Sequence, residues 1–303
     1  MKLSRTLLIL CILAGLFAVI QAGAGLFYHP AGDPFTVTSI HGEEVELYGR
    51  GIYAYDTYFK APINRGTDAE MLFVCIPMLA AALYFYNRGS LRGKVFLTGV
   101  LAYMLYTTTS FAIGVAYNNL FLLYIASFSA SLFAFVLSFS SIDLPGLAKR
   151  TTARLPRRGI VALMIVSIVG LIAAWVPELV IAVMEGGIPP LNGYTTMITD
   201  VLDLGIIVPA CALAAVLILR KDPLGTLTAS TLMIVLINIA VVVTSQTIFQ
   251  TAAGITVPVP VLVIKAGTFV VMGFFAVWLT ARLIGSIAEK DVPETKSRKV
   301  ARA

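Results

Sequence analysis

Glu178 and Lys265 stand where an ionised side chain is expensive. Each interrupts an apolar run, Ala173-Ala174-Trp175-Val176-Pro177-Glu178 in one case and Val261-Leu262-Val263-Ile264-Lys265-Ala266 in the other. A charge in hydrocarbon costs on the order of 2.5–3.5 kcal/mol on insertion scales, so each is a candidate for binding an ion or small polar solute. The two lie at similar depth, which predicts a Glu178–Lys265 pair on the bundle interior. That pair would be either part of a site or a structural tie between helices, and Lys265 has the further option of snorkelling outward. Asp203, one turn inside another apolar run, is the third candidate. Tyr106 belongs to a polar stripe, Tyr103, Tyr106, Ser110 and Tyr117 at helical spacing, with Thr107 to Thr109 beside it. Asn118 follows in the short turn after that stripe. Such a stripe either lines a cavity or bonds neighbouring helices. Asp68 and Asp200 read as helix-start acids, because Thr67-x-x-Glu70 has the spacing of a capping box.

Several chemistries have no support. The two histidines, His29 and His41, fall in one hydrophilic loop, which excludes bis-histidine haem ligation inside a bilayer. No Walker loop or dinucleotide fingerprint occurs, and no ligand spacing supports a metal site, so no cofactor is expected. Cys11, Cys75 and Cys211 lie in apolar segments with no zinc or redox spacing and read as small core residues.

The elements that position these residues follow from composition. Of 303 residues, 58% are hydrophobic and 13% charged, too little charge to cover a water-soluble surface. Runs of about 20 apolar residues suffice to cross a bilayer. Eight are present: Thr6–Tyr28, Ala69–Tyr86, Val95–Tyr117, Leu120–Ile142, Ile160–Met184, Val201–Leu219, Leu224–Phe249 and Val259–Ile287. The expected fold class is therefore an all-α polytopic membrane protein of eight transmembrane helices. With Met1 inside, 18 of the 22 Lys and Arg fall in inner segments, so both termini are expected on the cytoplasmic side of a prokaryotic plasma membrane. The same distribution argues against nucleic acid as a partner. Lys2, Arg5 and the Ala22-Gly23-Ala24 step also fit a cleaved secretory signal, but the run is long enough to span and a retained helix is the expectation.

A shift of 132 residues pairs Asp68 with Asp200, Pro77 with Pro209, Ala82 with Ala214 and Arg88 with Arg220, and Gly93 answers Gly225. Gly15-Leu16-Phe17-Ala18 pairs with Gly170-Leu171-Ile172-Ala173. The third and fourth spans match the seventh and eighth poorly. These pairs predict a 4+4 parallel internal repeat: residues 1–142 as the first unit, 143–159 as a basic cytoplasmic linker, 160–287 as the second unit, and 288–303 as a disordered tail. The first outer loop, 29–66, is much longer than its counterpart. Thr36–Ile40 and Val45–Tyr48 flank His41-Gly42-Glu43-Glu44, the pattern of a small β-hairpin. The tyrosines that follow suit a lipid–water boundary.

Three functions remain open: a transporter or channel-like carrier of an ion or small solute with a site in the outer half of the membrane, a membrane enzyme acting on a lipid or lipophilic substrate, and an accessory or sensory protein that meets a partner through its outer loop. Beyond the lipid bilayer, a protein partner or a homo-oligomer is compatible with the chain.

Overall fold

In a computed structural model of the chain the described residues are 4–28, 30–189, 191–256 and 266–289. Among them, eight helices are long and apolar enough to cross a bilayer, which marks a mostly helical polytopic membrane protein. They are span 1 (Arg5–Phe27), span 2 (Lys60–Asn87), span 3 (Leu91–Gly114), span 4 (Phe121–Ser140), span 5 (Arg157–Met184), span 6 (Ile198–Leu219), span 7 (Pro223–Ala252) and span 8 (Thr268–Ser286). Large apolar side chains such as Ile9, Phe73, Ile113, Phe133, Val169, Leu213, Ile248 and Phe274 point outward from all eight helices, as a lipid-facing surface requires. A short helix, Leu144–Arg150, lies in the linker. In the first outer loop β1 (Phe35–Thr38) and β2 (Glu44–Leu47) form the expected hairpin, with Val37 opposite Val45.

Span 2 begins at Lys60, well before the expected Ala69, and the capping-box reading of Thr67-x-x-Glu70 is thereby overturned. Thr57 leads into the helix instead: its hydroxyl and its carbonyl share the one backbone N–H of Lys60, at 3.0 Å each. Pro62 then falls in the first turn, where its missing N–H costs little. Thr67, Asp68 and Glu70 are thus interior helix residues, and all three are buried. Sequence hydropathy placed the boundary late because their polar faces turn toward the protein rather than toward lipid.

Spans 2 and 6 share an irregularity at corresponding positions. Span 2 carries a π turn at Met71–Cys75 and span 6 one at Asp203–Ile207, each followed one residue later by proline, Pro77 or Pro209. Proline cannot donate to the carbonyl four residues back, and a π turn absorbs the misfit. Both helices end at an arginine, Arg88 or Arg220. Next comes a tight inner turn in which a glycine presses on the preceding helix. A Cβ at Gly93 would lie 2.5 Å from Phe85 Cβ, and one at Gly225 would lie 2.6 Å from the Leu217 carbonyl carbon. Phe85 and Leu217 are themselves 132 apart.

Packing follows the same plan on both sides. Span 1 packs on spans 2 and 4, and span 3 on spans 2 and 4; span 6 packs on span 5, and span 7 on spans 6 and 8. Spans 3 and 7 meet in the middle, and span 7 also packs along span 2. The cross-unit approaches use related positions. A Cβ at Gly66 would sit 2.5 Å from Gln246 Cα, and one at Gly114 would collide with the Ile198 side chain. Ile198 is Gly66 shifted by 132, and Gln246 is Gly114 shifted by 132. At the end of the bundle where span 8 finishes, Thr152 N–H donates to Ser286 carbonyl, Ala288 N–H to Arg150 carbonyl, and Leu91 N–H to the Glu289 carboxylate. Of the tail expected to be disordered, Ala288 and Glu289 are therefore held by hydrogen bonds, and 290–303 lie outside the described residues.

Candidate functional site

The residue at the start of the π turn in span 6 is Asp203, and the turn aims its carboxylate inward. Tyr106 Oη from span 3 donates to Oδ1 at 2.9 Å, and Trp175 Nε1 from span 5 donates to Oδ2 at 3.0 Å. Hydrogen bonds to an ionised acceptor are roughly twice as strong as neutral ones, so these two aromatic donors hold the buried carboxylate in one orientation.

Two cavities meet at this group. The first, about 580 Å³, lies beneath the loops that precede spans 2 and 6. Lys60, Asn64, Thr67, Tyr103, Tyr106, Thr107, Asp200, Asp203 and Gln246 bring polar groups from spans 2, 3, 6 and 7 into a lining that also holds Ile63, Phe111, Ile198, Val242 and Phe269. The second, about 380 Å³, lies between spans 5, 6, 7 and 8 and is lined almost wholly by apolar groups, among them Met164, Gly170, Ala174, Leu232 and Met272. Tyr106, Asp203, Ile239 and Phe269 line both. The volumes are those of small-molecule sites.

Loops roof the first cavity. Leu191, Asn192, Tyr194, Thr196 and Met197 reach over it from the segment before span 6. Tyr194 is tied down: its hydroxyl donates at 2.6 Å to Asp56 Oδ1, which also accepts Ala116 N–H at 3.1 Å. Asp56 is fully buried and so joins three outer segments at one carboxylate. Burial pushes its carboxyl up to about 6, against the Tyr194 and Ala116 donors, which favour the ionised form. The Tyr194 phenol is pushed up from its ordinary range by burial and by the Asp56 charge. Tyr58 Oη donates to the Ala253 carbonyl at 3.1 Å, tying the same loop to the end of span 7.

The acids of the first unit are arranged differently. Tyr53 Oη donates to Asp68 Oδ2 and Tyr103 Oη to Glu70 Oε2, each at 2.5 Å, and both acids are buried. Gly25 makes room for the first pair, since a Cβ there would collide with the Asp68 carboxylate. The loop tyrosines Tyr48 and Tyr53 are therefore packed into the protein, not spread along a lipid boundary.

Of the residues singled out by sequence, Tyr106 and Asp203 come together on the cavity wall. Asn118 does not join them: it is buried in the turn between spans 3 and 4, where its Oδ1 accepts Leu120 N–H at 2.9 Å and its Nδ2 donates to Tyr124 Oη at 3.1 Å. Glu178 is exposed on the outer part of span 5, not on the bundle interior. Lys265, and with it the Glu178–Lys265 pair, lies outside the described residues. Sequence reasoning did not assign Trp175, Lys60, Asp56 or Tyr194 to a site. The tyrosine stripe of span 3 was the usable signal, and it both lines the cavity and bonds neighbouring helices.

The chain matches no family model, and no curated protein or solved structure is significantly similar to it.

Proposed function

We propose that the protein is a carrier for a small organic cation, binding it at Asp203 in the outer half of the membrane. The observation that supports this is the Asp203 carboxylate, fixed between Tyr106 and Trp175 on the wall of a roofed cavity. A carboxylate set among aromatic rings is complementary to an ammonium group, which gains from the charge and from the ring faces together. Below the cavity the bundle is filled by apolar side chains such as Leu97, Leu101, Ile160, Ile218, Leu227 and Leu283. That is the form expected of a carrier open toward one side and sealed toward the other.

The carrier reading draws on an internal duplication, residues 1–142 and 160–287 joined by the linker 143–159. The paired π turns, inner-turn glycines and cross-unit approaches support two units related by an axis along the membrane normal. Rocking of one such unit against the other gives alternating access. The Lys and Arg bias supports an orientation with both termini on the cytoplasmic side. On that side Lys94 Nζ meets the Ser141 carbonyl at 2.5 Å and Arg157 Nη1 the Ile218 carbonyl at 3.5 Å, cations at helix C-terminal ends. A cysteine at His41 should label only from outside, and one at Gly89 only from the cytoplasm.

The test of function is uptake of labelled tetramethylammonium into proteoliposomes. Saturable accumulation that disappears in Asp203→Asn is expected; binding with no accumulation under an imposed gradient would overturn the carrier reading. The enzyme reading has one observation of its own, the apolar cavity that brings a lipophilic group to Asp203, a potential acid or base. A covalently altered ligand recovered by mass spectrometry would select it.

A further inference from the structure

We infer that the solute is an amphiphilic amine, with its ammonium group at Asp203 and its apolar portion in the second cavity between spans 5, 6, 7 and 8. The inference rests on Asp203 being the cation site. Both cavities share the Asp203–Tyr106 pair, and their walls change character there: Lys60, Asp200 and Gln246 are set among apolar side chains on one side, and the lining is almost wholly apolar on the other. A wholly polar solute would occupy the first cavity and leave about 380 Å³ of apolar space unfilled beside it. Protein interiors close such space unless something fills it, because lining atoms without partners forfeit their dispersion contacts.

The first unit shows that the helical frame does not require the gap. There span 1 lies against span 4 through Ala14, Ala18, Ala130 and Ala134, all buried, and Met71 occupies the position that corresponds to Asp203. Spans 5 and 8 meet far more sparsely among the described residues. The contrast reaches single side chains. A Cβ on Gly15 would press on Leu79 at 3.1 Å, whereas one on its counterpart Gly170, on the wall of the second cavity, would meet nothing within 4 Å among the described residues. Acid and hollow occur in the same unit, at the same place, and a head-and-tail ligand uses both.

The experiment is equilibrium binding of alkyltrimethylammonium ions, from tetramethyl to octyltrimethyl, to the full chain in nanodiscs, with the free ligand measured in the aqueous phase. Affinity is expected to rise on the order of two- to fourfold per methylene, at least tenfold from butyl to octyl, as burial of a chain in an apolar cavity predicts. Gly170→Phe and, as an independent filling, Ala174→Phe should each lower the octyl-to-tetramethyl affinity ratio at least fivefold. If tetramethylammonium binds and requires Asp203 but affinity is flat with chain length, the amphiphile inference is overturned and the cation site stands. A resident acyl chain of the bilayer would give the same flat series and overturn it equally. A gain that persists undiminished in both filled variants places the alkyl chain in the lipid and overturns it as well. Binding of no ammonium ion by the native protein overturns the cation site and the inference together.

Discussion

Spans 1 to 4 and spans 5 to 8 carry different side chains at positions 132 residues apart. At the π turn of the first, Met71 is buried in a packed core; at the π turn of the second, Asp203 faces two cavities. Tyr106 corresponds to Asn238, whose Nδ2 simply returns to the Ile234 carbonyl at 2.8 Å. The acids the first unit does hold, Asp68 and Glu70, are closed off by Tyr53 and Tyr103. Backbone irregularity therefore does not by itself make a site. The π turn only aims a position inward, and the volume and polarity of the side chains around it decide whether that position becomes core or cavity.

This comparison breaks most visibly where the units touch. Gly66→Val drives a side chain into the backbone at Gln246, which cannot yield without moving span 7. A loss of about 3 kcal/mol or outright misfolding is expected, measured by unfolding in mixed micelles. Gly114→Val at the related approach meets only the Ile198 side chain and should cost visibly less. Equal costs would mean that the two approaches are not the distinct contacts described.

Next in size is the contrast between enclosed and cavity-facing acids. Tyr103→Phe leaves the buried Glu70 carboxylate without its donor and should cost about 1–3 kcal/mol of stability. Asp203→Asn keeps a hydrogen-bonding group of the same shape and should change stability by less than about 1 kcal/mol, while cation affinity falls at least tenfold. A stability loss at Asp203 as large as that at Tyr103 would make Asp203 a structural group.

Much of this organisation is legible in the chain. Eight apolar runs give eight helices because hydropathy reports lipid contact directly, and the Val37–Val45 hairpin follows from alternation around Gly42. Span 2 shows where that logic stops. Its first turns are polar and buried against protein, so hydropathy starts the span only at Ala69. The Asp203 site is split in the same way. Tyr106 and Asp203 are visible as polar residues in apolar runs, but their meeting with Trp175 depends on how three separate helices are packed. Asp56 and Tyr194 come from loops 138 residues apart, and no local pattern connects them.

The roof over the cavity is expected to respond to pH through Asp56. Its carboxyl titrates near 6 in the folded protein, above the ordinary value of 3.8. The folded state therefore binds the proton more tightly than the unfolded one between those values, and stability falls as pH rises through that window. Lowering the pH from 7 to 5 should stabilise the outer loops by about 1 kcal/mol, read as slower amide exchange around Tyr194. Asp56→Asn, which keeps an oxygen acceptor for Tyr194, should flatten that dependence. The change should be confined to the loops joined at Asp56, and span 1, which does not line the cavity, should not show it.

The smallest effect tests the comparison most directly. Gly15 and Gly170 correspond in spans 1 and 5, and replacing glycine by alanine inside a helix ordinarily gains roughly 0.5–1 kcal/mol through backbone entropy. At Gly170 the added methyl meets nothing within 4 Å among the described residues, so the gain should appear nearly whole, at about 0.5 kcal/mol or more. At Gly15 the methyl would lie 3.1 Å from Leu79 Cδ2, and Leu79 is itself buried, so the neighbour must give way and the strain should offset the gain. The net change at Gly15 is expected within about 0.5 kcal/mol of zero. Chemical denaturation of the two single variants and of the double variant separates these contributions, since the sites lie in different units and their effects should add. A Gly170→Ala change that destabilises as much as Gly15→Ala would mean that spans 5 and 8 close in the membrane as tightly as spans 1 and 4 do, and the hollow unit would lose its distinction from the packed one.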